Sequence, residues 1–173
     1  MKKLSYLLVS TLTLLAPSLS HAAEPAQYVA TYATLLAKHV QPGEKQGVKV
    51  ALVDYVSWGK DPLHKEALDT LQEVNPKTLS GKAKMAFWVN AYNLFTVDLI
   101  IKTGETKSIK NQGSLFKNVW KSHDWDIHGK RYTLDQIEHK ILRPLGDPRI
   151  HMAINCASLS CPDLRMEPYI AKK

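Results

Sequence analysis

Between residues 25 and 40 apolar side chains recur every three or four positions: Tyr28, Tyr32, Leu35, Leu36 and Val40. That spacing predicts an amphipathic helix. "QPGEKQG" (41–47) reads as a turn. Val48, Val50 and Leu52 then alternate, as a strand or extended segment would. Leu63, Ala67, Leu71 and Val74 return to helical spacing, with Asp61 placed to cap and Pro62 at the first helical position. "NPKTLSG" is a loop. The pattern changes over 80–102, "SGKAKMAFWVNAYNLFTVDLIIK", where apolar residues surround the helix on nearly every side. Such a helix belongs inside a domain. Asn90 and Asn93 lie on one of its faces, three apart. A buried amide without partners costs on the order of 1–3 kcal/mol, so both must be hydrogen-bonded. They either tie the helix to loop backbone or line a site, and the first reading is preferred.

Residues 104–124 predict an irregular stretch with short helical turns, pinned to the core by Phe116 and Trp120. "WDIHGKRYTL" predicts a hairpin with Gly129 in the turn. Thr133 and Gln136 form a capping box for a short helix, "LDQIEHKIL", with Leu134, Ile137 and Ile141 facing inward and "RPLGDPR" ending it. "RIHMAIN" (149–155) alternates and predicts a buried strand, with Ile150, Met152 and Ile154 on one face. Helices and strands are too mixed for an all-α fold and too irregular for a βαβ repeat. The fold class is α+β, loosely α/β: a buried aromatic-rich helix packed on a small mixed sheet.

The first 22 residues stand apart. Lys2 and Lys3 precede an apolar run from Leu4 to Leu15, and small residues at Ser20 and Ala22 complete a secretory signal with cleavage after Ala22. The run is short of the roughly 20 apolar residues a membrane span needs. Residues 23–173 are then expected to form a single domain, exported to the periplasm or secreted, with no stable membrane span once the signal is removed. Removing Lys2 and Lys3 from the formal charge of +7 leaves +5, spread thinly along the chain. This is a mildly basic, solvated surface rather than a nucleic-acid arm, so a small molecule or an envelope component is the expected partner.

Both cysteines of the chain fall in "INCASLSCPDL", at Cys156 and Cys161. In an oxidising compartment they are expected to pair, and a C-x4-C loop allows it where the two Cβ atoms converge. A metal site has little support, because the spacing is not C-x2-C and no second pair exists. No cofactor is indicated. The alternative is a nucleophile. Cys156 would end a strand, and a helical turn over "ASLS" would lower its pKa and offer an oxyanion pocket. His151 is the first candidate base, with His123, His128 and His139 behind it. Ser158 and Ser160 read as turn residues. A thiol–disulfide role ranks third, since C-x4-C lacks the spacing of the C-x-x-C redox pair.

"AFWVNAYNLFTVDLI", "SIKNQGSLFKNVW" and "GKRYTLDQIEHKILRPLGDPRIHMAINCASLSCPDLRMEPY" together resemble the family called domain of unknown function 547, over roughly residues 80–169. The aromatic-Asn helix, the "IEH" helix, the "DPRIH" approach and the "CASxSCP" turn occur in the family's order. Matching positions include Trp88, Asn90, Tyr92, Asn93, Glu138, His139, Arg143, Asp147, Arg149, His151, Cys156, Ser158, Cys161 and Arg165. The resemblance implies a shared pocket-forming core and a similarity to thiol-hydrolase-like folds, with no established activity. Family members usually continue beyond "EPY", so the domain is expected to be incomplete at its C-terminus. Two functions follow. One is a binding or structural domain clipped by Cys156–Cys161, with Asn90, Asn93, Asn155, Ser158 and Arg165 as binding residues. The other is a thiol-dependent hydrolase or transferase, with Cys156 as nucleophile, His151 as base and Asn155 or Asn90 as orienting group.

Overall fold

The computed structural model describes residues 26–79, 81–104 and 119–171. The signal expected over 1–22 and the anchor expected at Phe116 lie outside them. The described residues are mainly helical, with two small antiparallel hairpins, an α+β arrangement. Helix α1 (Ala26–His39) is followed by β1 (Val40–Lys45) and β2 (Val48–Val53), then α2 (Tyr55–Lys60), α3 (Pro62–Gln72) and the long α4 (Gly81–Thr103). A short α5 (Val119–Ser122) precedes β3 (Asp124–Ile127), β4 (Lys130–Thr133) and α6 (Leu134–Gln136). The chain continues as a π-helical turn (Ile137–Leu142) and two 3-10 turns, Arg143–Leu145 and Pro148–Met152.

Helix α4 is the axis of the core. Side chains from every side of it are buried, among them Phe87, Trp88, Tyr92, Leu94, Phe95 and Leu99. Phe87 meets Tyr28 of α1 edge-on at 5.7 Å, Trp88 meets Tyr132 of β4 at 4.9 Å, and Phe95 stacks on Trp125 of β3 at 4.8 Å. These contacts spread the helix's aromatic surface over both halves of the fold.

A buried carboxylate, Asp98, joins three elements. It accepts from Nε2 of His64 (3.0 Å), from Nε1 of Trp125 (2.6 Å) and from Lys102 (2.7 Å). Burial pushes its pKa up, but these donors outweigh burial and hold it below the usual carboxylate range. Asp61 works similarly at the N-terminus of α3, three residues before His64. Its Oδ1 caps the helix at Leu63 N (3.1 Å), while its Oδ2 accepts from Lys38 (2.6 Å) and His39 (3.1 Å).

Three expectations need correcting. The stretch 41–47 is not all turn. β1 runs through Pro42 and Gly43 to Lys45, and the turn is confined to Gln46 and Gly47, both left-handed. Pro42 is tolerated because each strand of a two-stranded ribbon has a free edge. Leu52 lies over Gly43, where a Cβ would sit 2.3 Å from its Cδ1, so Ala51 and Val53, not Leu52, pack toward the core. The mixed sheet is absent among the described residues: β1–β2 and β3–β4 are separate antiparallel pairs. "RIHMAIN" forms no strand either. Asp147 caps a 3-10 turn at Arg149 N, with Pro148 at its start. Ile150 and Ile154 are buried, while Met152, assigned to the same face, is 73 % exposed. The Asp-Pro start overrides the alternation.

The β3–β4 hairpin is as expected, with His128 and Gly129 both at positive φ, the conformation a tight two-residue turn requires. The capping box is also present: Gln136 N donates to Thr133 Oγ1, and Thr133 N donates to Gln136 Oε1. Leu134 and Ile137 are buried as expected, but the helix after the box is wound more widely, so Leu142 is fully buried while Ile141 packs on the core only partly buried.

Candidate functional site

The residues after Met152 form no regular element, yet their position is tightly specified. Asn93, 3 % exposed on α4, donates from Nδ2 to the Ala153 carbonyl (3.0 Å) and accepts the Asn155 amide at Oδ1 (2.8 Å). One turn earlier, Asn90 donates to the Tyr169 carbonyl (2.9 Å) and accepts the Tyr169 amide (2.9 Å). Each side-chain amide pairs with backbone as a neighbouring strand would. The preferred reading of both, as ties from helix to loop backbone, holds. Between these two clasps lies the cysteine loop.

Cys156 and Cys161 are joined by a disulfide, with their Cα atoms 6.0 Å apart. The residues just outside the bridge are also joined: Asn155 Nδ2 donates to the Pro162 carbonyl at 2.7 Å. Asn155 Oδ1 accepts from Ala157 N (3.0 Å), and Ala157 sits at φ +55. A non-glycine residue in that region is strained, and such strain persists only where surroundings impose it. Here Asn155 and the bridge do so. Ser158 and Ser160 are exposed turn residues whose hydroxyls contact each other at 3.0 Å, and Cys161 N closes the turn on the Ser158 carbonyl (2.9 Å).

The bridge borders a cleft of about 340 Å³, lined by Tyr92, Trp120, Glu138, His151, Ile154, Cys156, Ser160, Cys161 and Pro162. Its polar groups come from separate elements. Tyr92 is on α4, Glu138 on the π-helical turn and His151 on the 3-10 turn. The 3-10 turn is held at its N-terminal end. Arg149 donates to both oxygens of Asp147 (2.9 Å and 2.6 Å), and Ile150 is buried beside exposed His151. Arg149 keeps the Asp147 carboxyl down at about 2.

Glu138 accepts from Arg143 (2.8 Å), and its carboxylate and the Trp120 indole both lie near the Tyr92 hydroxyl. Burial raises the Tyr92 pKa, and the adjacent Glu138 carboxylate raises it further, so the phenol stays protonated. The cleft thus presents one oriented carboxylate, one imidazole, one hydroxyl and a disulfide against apolar walls.

Of the sequence-derived site residues, Cys156 and His151 line this cleft, together with Cys161. Asn90, Asn93 and Asn155 stand behind the wall in backbone hydrogen bonds. Ser158 is in the exposed turn. Arg165 lies over the Tyr169 ring at 4.6 Å and pairs with Glu167, away from the cleft lining. Tyr92, Trp120 and Glu138 were not singled out as site residues. Glu138 and Tyr92 did carry a signal, as matching positions of the family pattern. Trp120 carried none beyond its role as an anchor. Among the described residues no group of three or more His, Cys, Asp and Glu could hold a metal ion.

A family model described as "Protein of unknown function, DUF547" matches residues 76–173, more than half of the chain. The protein belongs to the DUF547 family. All residues lining the cleft lie inside the matched region, whereas α1, the first hairpin, α2 and α3 precede it. Curated proteins and solved structures give no match. The DUF547 segment therefore holds α4, both amide clasps and the cysteine loop. Of the preceding helices, α2 packs against α4 and α1 reaches it through Tyr28, with Trp58 and Leu71 wholly buried.

Proposed function

We propose that this DUF547 protein is an exported binding domain whose small-molecule site is the cleft beside Cys156 and Cys161, with the bridge as a clip that shapes the cleft wall. One observation supports this above the others: Tyr92, Glu138 and His151, from three separate elements, converge on a concavity of about 340 Å³. A few fixed polar groups on apolar walls are the usual makeup of a ligand pocket. The ligand is a small molecule or an envelope component that offers a donor to Glu138 and an apolar face to Trp120. A screen of amines, sugars and carboxylates by amide and indole chemical shifts tests the proposal. Binders should move the Trp120 indole and residues 151–161, and Glu138→Gln should weaken them. Binders that map elsewhere, or that ignore Glu138→Gln, would overturn it.

A second reading has its own support, because Cys156 and His151 line one cleft. With the bridge reduced, Cys156 would be the nucleophile and His151 the base of a thiol-dependent hydrolase or transferase. Asn90 and Asn155, committed to backbone, are replaced by Glu138 as the polar neighbour of the reacting groups. In the reduced protein, Cys156 should alkylate fast near neutral pH and more slowly in His151→Ala. An unchanged rate removes His151 as the base.

A further inference from the structure

We infer that Cys156–Cys161 is a thiol–disulfide exchange site whose reactant is a dithiol. This goes beyond ligand binding and requires no hydrolase activity. Two features support it together. Both cysteines line an open cleft, so an attacking thiolate has a path to the bridge. The loop that the bridge closes is also closed without it, by the 2.7 Å hydrogen bond from Asn155 Nδ2 to the Pro162 carbonyl, one residue outside each cysteine. Ile154 and Leu164 are buried on either side, and Asn93 holds the Asn155 amide. Opening the bridge therefore leaves the two thiols side by side. The long C-x4-C spacing, which counts against a redox pair in the sequence, is offset by this second closure.

The exchange balances as follows. One thiolate of the dithiol attacks Cys161 Sγ, the S–S bond breaks, and a mixed disulfide forms. Cys156 leaves as a thiolate into the cleft that His151 also lines, and is then protonated from solvent. The second thiolate of the dithiol attacks its own sulfur in the mixed disulfide and releases Cys161. Two electrons pass from the dithiol to the bridge, and the dithiol departs as a disulfide.

The test uses the full chain under native conditions. Dithiothreitol is added, samples are trapped with iodoacetamide, and thiols are counted by intact mass. We expect two trapped thiols, retained native amide shifts at Ile154 and Leu164, and re-formation of the bridge in oxidised dithiothreitol. Reduction that proceeds only as fast as the chain unfolds, or that erases those native shifts, overturns the inference.

Asn155→Ala should shift the dithiothreitol equilibrium toward the reduced form by about five- to tenfold, the worth of one lost hydrogen bond. No shift would overturn the role of Asn155. If that variant fails to fold, Cys156→Ser serves instead: its Cys161 should form a mixed disulfide with oxidised glutathione that dithiothreitol reverses, and an inert Cys161 refutes the site. A thioredoxin-type C-x-x-C protein in a parallel arm separates sources. Faster reduction per mole than by dithiothreitol assigns a protein dithiol, and slower reduction assigns small dithiols. Failure of exchange with ligand binding intact refutes this inference alone.

Discussion

Replacing Asn93 by Ala should cost more than a single buried polar truncation commonly does. The amide makes two hydrogen bonds, to the Ala153 carbonyl at 3.0 Å and from the Asn155 amide at 2.8 Å, and it is 3 % exposed. Each bond contributes about 0.5–1.5 kcal/mol net, and an abandoned buried partner costs about 1–3 kcal/mol. Both partners are backbone groups in a segment with no ladder to fall back on. Because that segment is only partly buried, water rescues some of the loss, which brings the expected cost to about 2–4 kcal/mol. At about 3 °C per kcal/mol for a chain of this size, Tm should fall by roughly 10 °C. Urea unfolding followed by tryptophan fluorescence measures the free energy, and amide exchange at Asn155 reports whether the clasp itself has opened. Asn93→Asp is the companion variant. It keeps the acceptor for Asn155 but turns an oxygen toward the Ala153 carbonyl, so its deficit should shrink as acid protonates the new carboxyl. A cost for Asn93→Ala below about 1 kcal/mol, with Asn155 still protected from exchange, would refute the idea that side-chain amides hold this segment.

Removing the bridge by Cys156→Ser with Cys161→Ser should lower stability by about 2 kcal/mol, since so short a loop constrains the unfolded chain little; a urea-measured loss above about 4 kcal/mol would mean the bridge, not Asn155, holds the loop. Hydrogen bonds from Lys38 and His39 hold the folded-state pKa of Asp61 down at about 2, so its stabilising share is full above the unfolded value of about 4 and drains away as pH falls toward 2. Urea midpoints between pH 5 and 2 should fall less steeply in Asp61→Asn, and parallel curves would refute that assignment. Gly129→Val should cost about 1–2 kcal/mol, because φ of +77 suits glycine and the turn pairs with α3 through His128 N to the Gln72 carbonyl (2.7 Å); an unchanged Tm would show that the turn relaxes freely.

What could be read in the sequence was whatever depends on near neighbours. The caps at Asp61 and Thr133, the Gly129 hairpin and the all-round burial of α4 each follow from residues within a few positions of one another. The Asn90 and Asn93 face was legible as a demand for partners, though not which partners. Tyr169 and Ala153 lie 79 and 60 residues away, and nothing in the local pattern names them. "RIHMAIN" misled because alternation over seven residues is a weak signal beside an Asp-Pro start with its own cap. The cleft was half legible: two cysteines and a histidine close in sequence, without the Tyr92 and Glu138 side chains that complete it.

Glu138 shows why that half was hidden. A regular α-helix after Leu134 would bury Ile137 and Ile141, four apart. Widened into a π-turn, the same residues bury Ile137 and Leu142, five apart. The Arg143 amide reaches back to the Glu138 carbonyl, the i to i−5 bond of a π-helix. Such turns are uncommon and occur frequently at functional sites. Here the widened turn presents Glu138 beside the Tyr92 hydroxyl instead of along the outer face of a regular helix. No single-sequence periodicity records a one-residue insertion into a helix this short. The backbone device that aims the carboxylate into the cleft is also the one that hides it from pattern reading.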